Sequence, residues 1–202
     1  YYQNCGFDPS GTYPKIYRKF IADLYDAQSL TDIREAYRNA SHAFADVTLR
    51  KPEDPIRIGI IGDYYTVMDP FSNLEIEQKL ADMGVEVHRL MNLTNDMLRN
   101  NNNQNKQAVI RRFSEYSMGA SSTSDIWQAQ VYAERHFDGV VQVKSACCMP
   151  ETDIMPVLAN LSRDYKMPVL HLTYDSQTSD IGLMTRLEAF YDMVEMRKKV
   201  AR

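Results

Sequence analysis

Two adjacent thiols, Cys147 and Cys148, sit in the loop Lys144-Ser-Ala-Cys-Cys-Met-Pro-Glu-Thr152. The loop lies between the apolar run Gly139-Val-Val-Gln-Val143 and a helical pattern that begins near Asp153. A thiolate at the mouth of a helix has its pKa lowered by the helix dipole, which makes it a better nucleophile or metal ligand. Tetrahedral zinc or an iron–sulfur cluster takes about four ligands. This loop supplies one or two, and no Cys-x-x-Cys spacing occurs elsewhere in the chain. Cysteine–histidine catalysis would need His171, His136 or His88 within reach of a thiol, and nothing in the spacing places one there. The other reading is that Cys147 and Cys148 are small buried hydrophobes at a strand end. Cys5 stands alone and reads as an incidental thiol.

A scaffold must bring partners to that loop. Ile56-Arg-Ile-Gly-Ile-Ile61 is apolar enough to be the first buried strand of a parallel sheet. Ser72 or Asn73 caps a helix running through Met83, with Ile76, Leu80 and Met83 on one face, and Gly84 ends it. Val85 to Leu90 is the second strand, which completes a βαβ start. Asp125 opens a helix through Phe137, Gly139 to Val143 is the third strand, and Ile154, Val157, Leu158 and Leu161 mark the next helix. Pro168 to Thr173 is the fourth strand, and the last helix runs from about Gly182 to Lys199, with its basic residues in the final turns.

The expected fold is therefore α/β: a Rossmann-like three-layer domain with a four-stranded parallel sheet. Right-handed crossovers give the order 2-1-3-4. In such a sheet the loops after strands one, three and four share the carboxyl edge. That brings Asp63, Tyr65, Asp69, Ser72, Asn73, Cys147, Cys148, Glu151, Asp175 and Thr178 to one rim. Gly59 and Gly62 do not make the three-glycine dinucleotide fingerprint, and no phosphate-loop lysine motif exists. The helix N-termini near Asn73 and Asp153 could still hold an anion through backbone N–H groups.

Residues 1–54 read as an irregular start followed by a mainly helical stretch from Ile16 to Val47, where Ser29 or Thr31 caps a second helix. The aromatics here (Tyr13, Tyr17, Phe20, Tyr25, Tyr37, Phe44) are expected to form a packing face. Arg50-Lys-Pro-Glu-Asp-Pro55 marks the boundary, so that residues 55–202 form the α/β domain. Asn100-Asn-Asn-Asn103 suggests an exposed turn, and Gln107 to Phe113 a short helix. Across 202 residues, 23 Lys and Arg against 27 Asp and Glu leave a net charge of -4, with no electrostatic footprint for nucleic acid. No apolar segment approaches the roughly 20 residues that cross a bilayer. Three cysteines do not make a disulfide framework, which suits a reducing cytoplasm. The chain opens on Tyr1 rather than Met and reads as a piece of a longer protein.

Three segments resemble the C-terminal part of the 2-hydroxyacyl-CoA dehydratase family, especially its acyl-CoA dehydratase activase-related (CoA-substrate-specific enzyme activase) members. They are Ile58-Gly-Ile-Ile-Gly-Asp-Tyr-Tyr-Thr-Val-Met-Asp-Pro-Phe-Ser-Asn-Leu74, Cys148-Met-Pro-Glu151 with its following helix, and Asp175-Ser-Gln-Thr178 leading into Thr185-Arg-Leu-Glu-Ala-Phe190. The resemblance spans about Pro55 to Arg197. It implies stacked Rossmann-like domains with a [4Fe-4S] cluster held by cysteines from more than one of them. Cys148 matches the motif cysteine and would be the ligand, while Cys147 is extra and would pack or add a second thiol. Glu151 and Asp175 would shape the rim. The family further implies an ATP-hydrolysing activator, a CoA thioester substrate, and upstream domains or a sister subunit as partners. Met118-Gly-Ala-Ser-Ser-Thr-Ser124 departs from the family's Gly/His-rich stretch, since it lacks histidine. A non-catalytic binding or interaction domain that kept the fold without the cluster is the alternative.

Overall fold

The apolar runs become four strands, β1 (Arg57–Gly62), β2 (Glu86–Arg89), β3 (Gly139–Ser145) and β4 (Val169–Tyr174). They pair in parallel throughout, in the order β2-β1-β3-β4. The computed structural model describes residues 1–92, 111–113, 116, 118–119 and 121–200. Alternation along each strand sends side chains to two separate cores, because successive Cβ atoms point to opposite faces. Ile58, Ile60, Val141, Val143 and Leu172 meet α4 (Ile76–Asp82) and α8 (Asp180–Val200) on one face. Ile61 and Val140 meet α5 (Ser122–Glu134) and α7 (Met155–Tyr165) on the other. The sheet is therefore covered on both sides, as the near-continuous apolar strands require.

Gly59 has a specific steric task on the second face. A Cβ there would lie 2.4 Å from the Tyr132 ring, so only glycine lets α5 come this close to the strand. The Tyr132 hydroxyl then accepts from Leu90 N–H at 2.9 Å and donates to His88 C=O at 3.2 Å, fastening α5 to the end of β2.

Element ends depart from the sequence expectations where backbone geometry intervenes. The loop after β1 contains a single helical turn, α3 (Tyr64–Met68). Helix α4 begins at Ile76 because Leu74 and Glu75 both take positive φ, at 55° and 57°. Asn73 still caps it from a distance, its Oδ1 accepting from Ile76 N–H at 3.2 Å. Helix α5 starts at Ser122, which places Asp125 inside its first turn. The helix expected from Asp153 is two pieces, α6 (Met149–Asp153) and α7, each opened by a proline (Pro150, Pro156). Pro156 has no N–H to donate back to the preceding turn, so the chain breaks at Ile154. The turn at 100–103 lies outside the described residues, as does most of the short helix from Gln107, of which residues 111–113 are helical.

Before the sheet, α1 (Thr12–Asp26) and α2 (Leu30–Ala45) pack on each other, and the Ser29 hydroxyl caps α2 by accepting from Asp32 N–H at 3.2 Å. Tyr13 and Phe44 close the hairpin with ring centroids 4.8 Å apart. The expected aromatic packing face is only partly formed, since Tyr17, Tyr25 and Tyr37 are exposed. The attachment to the sheet runs through Cys5–Phe7, a tight turn lying on α4, and through a 2.7 Å ion pair between Lys51 and Glu86. Among the described residues no helix is long and apolar enough to cross a membrane.

Candidate functional site

The strand order reverses direction between β1 and β3, and the loops after these strands leave the sheet side by side there. Asp63 laces them together. Its carboxylate accepts from Thr66 N–H at 2.8 Å and the Thr66 hydroxyl at 2.9 Å, which caps α3. It also accepts from Ser145 N–H at 2.8 Å, across to the end of β3. Gly62 allows the two strand ends to touch, because a Cβ there would fall 1.7 Å from Val143 C=O. Asp63 is thus a tie within the fold rather than an open rim carboxylate.

The other rim candidates separate into groups. Asp69 accepts from the Ser72 hydroxyl and from Ser72 N–H, and the hydroxyl bond holds its pKa below the ordinary value. Asn73 is buried and donates to Thr66 C=O and Val67 C=O, bracing α3 against α4. Tyr65 is 72% exposed. Asp175 and Thr178 bond to each other and line a cavity of about 350 Å³ with Tyr174, Gln177, Ser179 and Arg186, on the β4 side of the edge. Neither Cys147 nor Cys148 lines that cavity.

At the cysteine loop, Cys148 N–H donates to Ser145 C=O at 3.1 Å, closing a turn with Ala146 and Cys147 at its corners. Cys148 C=O then accepts from Thr152 N–H at 3.2 Å and the Thr152 hydroxyl at 3.0 Å, starting α6. Cys147 is exposed and Cys148 half-buried, so neither packs as a small core hydrophobe. The expected lowering of the thiol pKa is reversed at Cys148. Burial raises it, and the Asp63 and Glu151 carboxyls add to the rise, against the Glu151 backbone N–H and the Lys144 ammonium. A single helical turn carries little dipole to offset desolvation. Nor is any histidine bonded to a cysteine. His88 pairs with Glu86 at 2.6 Å, His136 C=O accepts from Arg57 near the start of β1, and His171 Nδ1 meets Gln142 Oε1 at 2.6 Å.

Beneath the loop lies a buried polar network that the sequence reading missed. Glu151, 1% exposed, points inward and is not a rim residue. It accepts from the Ser121 hydroxyl at 3.1 Å and from Gln142 Nε2 at 2.9 Å, and its backbone C=O takes a second bond from Gln142 Nε2 at 2.9 Å. Because Gln142 Nε2 donates to Glu151, its Oε1 must accept, so His171 carries its proton on Nδ1. Burial pushes the His171 pKa down, with Lys144 and Arg186 adding to the effect. Asp125 is fully buried beside Glu151, and its Oδ1 accepts from Gln128 Nε2 at 3.1 Å. Burial raises the pKa of Asp125 well above 3.8, the nearby Glu151 raises it further, and burial raises that of Glu151 as well. Two buried carboxyls this close titrate as a coupled pair, and their proximity disfavours ionisation of both at once. Asp125 Oδ2 has no hydrogen-bond partner among the described residues. One signal for this network was in plain view: Gln142 interrupts the apolar run of β3.

Among the described residues there is no group of three or more His, Cys, Asp or Glu side chains that could hold a metal ion. The chain matches no family model and no curated protein.

Proposed function

We propose that this chain is the C-terminal domain of a [4Fe-4S] protein of the 2-hydroxyacyl-CoA dehydratase and activase-related type. On this reading it contributes Cys148, with Cys147 as an additional thiol, to a cluster whose other ligands come from upstream domains of the same polypeptide or from a sister subunit. The observation that carries the reading is Cys148 itself. It is a partly accessible thiol at the carboxyl edge, on a backbone pinned at both ends, without a local set of metal ligands among the described residues. The donor fits the cluster in kind, being a soft thiol, but not in number, so another surface must complete the set. A cluster held there would supply one-electron chemistry of the kind that radical loss of water from a 2-hydroxyacyl-CoA thioester requires, with an ATP-hydrolysing activator as the electron source.

This chain's own residues would hold and shield the ligand. Asp63 fastens the end of β3, Gln142 and Ser121 anchor α6 through Glu151, and Thr152 fixes the carbonyl of Cys148. The raised pKa values of Asp125 and Glu151 reduce the negative charge held below the ligand. A cytoplasmic setting, where thiols stay reduced, suits the reading. Anaerobic reconstitution of the full-length protein, followed by iron analysis and electron paramagnetic resonance, tests it. Wild-type protein should take up iron and Cys148→Ser should lose most of it; normal uptake by the variant would sink the proposal.

A non-catalytic interaction domain is the second reading. It is favoured by the raised Cys148 pKa and by the large side chains of Tyr65, Met68, Phe71, Met149 and Ile181, all exposed on the segments that follow β1, β3 and β4. Persistent absence of iron from the full-length protein would decide for it.

A further inference from the structure

Cys147 has no part in the buried network and is exposed beside a half-buried neighbour. The Cys147–Cys148 peptide bond is trans, which sets the two Cα atoms about 3.8 Å apart. The turn closed by Cys148 N–H and Ser145 C=O fixes the backbone of the pair, while among the described residues no hydrogen bond is made by the exposed Cys147 side chain. The third thiol, Cys5, is half-buried and its pKa is pushed up to about 11 by burial, which makes it a poor competitor for oxidants.

We infer that Cys147 and Cys148 form a vicinal-dithiol modification site, which a low-molecular-weight disulfide converts reversibly into an internal S–S bond. In the first step the Cys147 thiolate attacks one sulfur of the disulfide RSSR, forming a mixed disulfide and releasing one RS⁻. Cys148, as thiolate, then attacks Cys147 Sγ, displacing the second RS⁻ and closing the ring across a single peptide bond. The two protein thiols lose two electrons and two protons; RSSR gains them and leaves as two RSH. The order of attack follows exposure, since Cys147 meets solvent and Cys148 is partly shielded. The bond would be strained, because ordinary disulfides span Cα separations of about 4.4–6.8 Å. Strained and exposed disulfides are the readily reduced ones, so the modification is reversible by mild thiols. Its regulatory consequence rests on the ligand reading above: the internal bond withdraws Cys148 from any cluster.

The test is oxidation of the iron-free chain carrying Cys5→Ser with glutathione disulfide, followed by intact-mass and thiol analysis. The expected result is a product about 2 Da lighter with both remaining thiols lost and no retained adduct, restored by dithiothreitol. Cys148→Ser should trap one glutathione on Cys147, and Cys147→Ser should react at least about tenfold more slowly. A stable glutathione adduct with a free second thiol would overturn the inference, as would equal reactivity of the two single variants. The mass change is read without iron, so it stands apart from the ligand reading. If the oxidised full-length protein takes up iron as well as the reduced one does, the ligand reading fails while the dithiol site remains.

Discussion

At the scale of single residues, the Asp125–Glu151 pair makes the sharpest claim. Burial and the neighbouring Glu151 carboxyl favour the neutral form of Asp125, whose Oδ2 has no hydrogen-bond partner among the described residues. Asp125→Asn keeps a neutral polar side chain at that position, and the variant should lose less than about 1 kcal/mol at neutral pH. Asp125→Ala strands Glu151 and Gln128 and should cost about 1–3 kcal/mol, measured by urea denaturation. The pH dependence has a definite sign. Both carboxyls have folded-state pKa values above their unfolded values, 3.8 for Asp and 4.5 for Glu. Above those values the folded state holds more protons than the unfolded one, so this contribution to stability falls as pH rises through the raised pKa values. Asp125→Asn should flatten that fall, and a variant with an unchanged slope would remove Asp125 as its source. This pair was not legible in the sequence. Nothing in the spacing of Asp125 and Glu151 brings them together; only the tertiary packing that sets the first turn of α5 beside Glu151 does. Cys148 was legible as a candidate because its type and loop position are local properties.

Among the elements, period-two and period-3.6 patterns made strands and helices readable, and errors fell where a single backbone dihedral or proline decides a boundary. Leu74 and Glu75 adopt positive φ without glycine, and no residue type announces that. Pro156 did announce the break between α6 and α7, but Ile154, Val157, Leu158 and Leu161 continue one apolar stripe across it. The tie made by Asp63 offers a test at this scale. Removing it in Asp63→Ala leaves Thr66 and Ser145 N–H groups without their acceptor and should cost about 1–2 kcal/mol. The same loss frees the end of β3, so alkylation of Cys148 should quicken while that of Cys5 stays unchanged. Equal acceleration at both thiols would mean global loosening instead. Gly59→Ala probes the opposite face. Its Cβ would overlap the Tyr132 ring, and pushing α5 away should cost about 1–3 kcal/mol without altering Cys148 reactivity.

Over the whole molecule, topology explains why the site could be located before it could be described. Parallel pairing and right-handed crossovers fix which loops share an edge, so the convergence of the loops after β1, β3 and β4 follows from strand order alone. What those loops do at the edge depends on packing between distant segments, and that turned Glu151 inward and Tyr65 outward. The result is an edge with an uneven surface. Phe71 is 88% exposed and Ile181 81%, with Tyr65 and Met149 also in solvent, while β1 and β3 behind them are buried almost throughout. Large apolar side chains left exposed along one edge mark surfaces that meet other molecules where they form a contiguous patch. A folded chain with such an edge should bind an environment-sensitive apolar dye in its native state. The triple variant Tyr65→Ser, Phe71→Ser, Ile181→Ser should bind at most about half as much dye, with stability held within about 1.5 kcal/mol because each site is exposed. Undiminished dye binding by a folded triple variant would move the sticky surface elsewhere, with the α1–α2 hairpin and its exposed Tyr25, Leu30 and Tyr37 next in line.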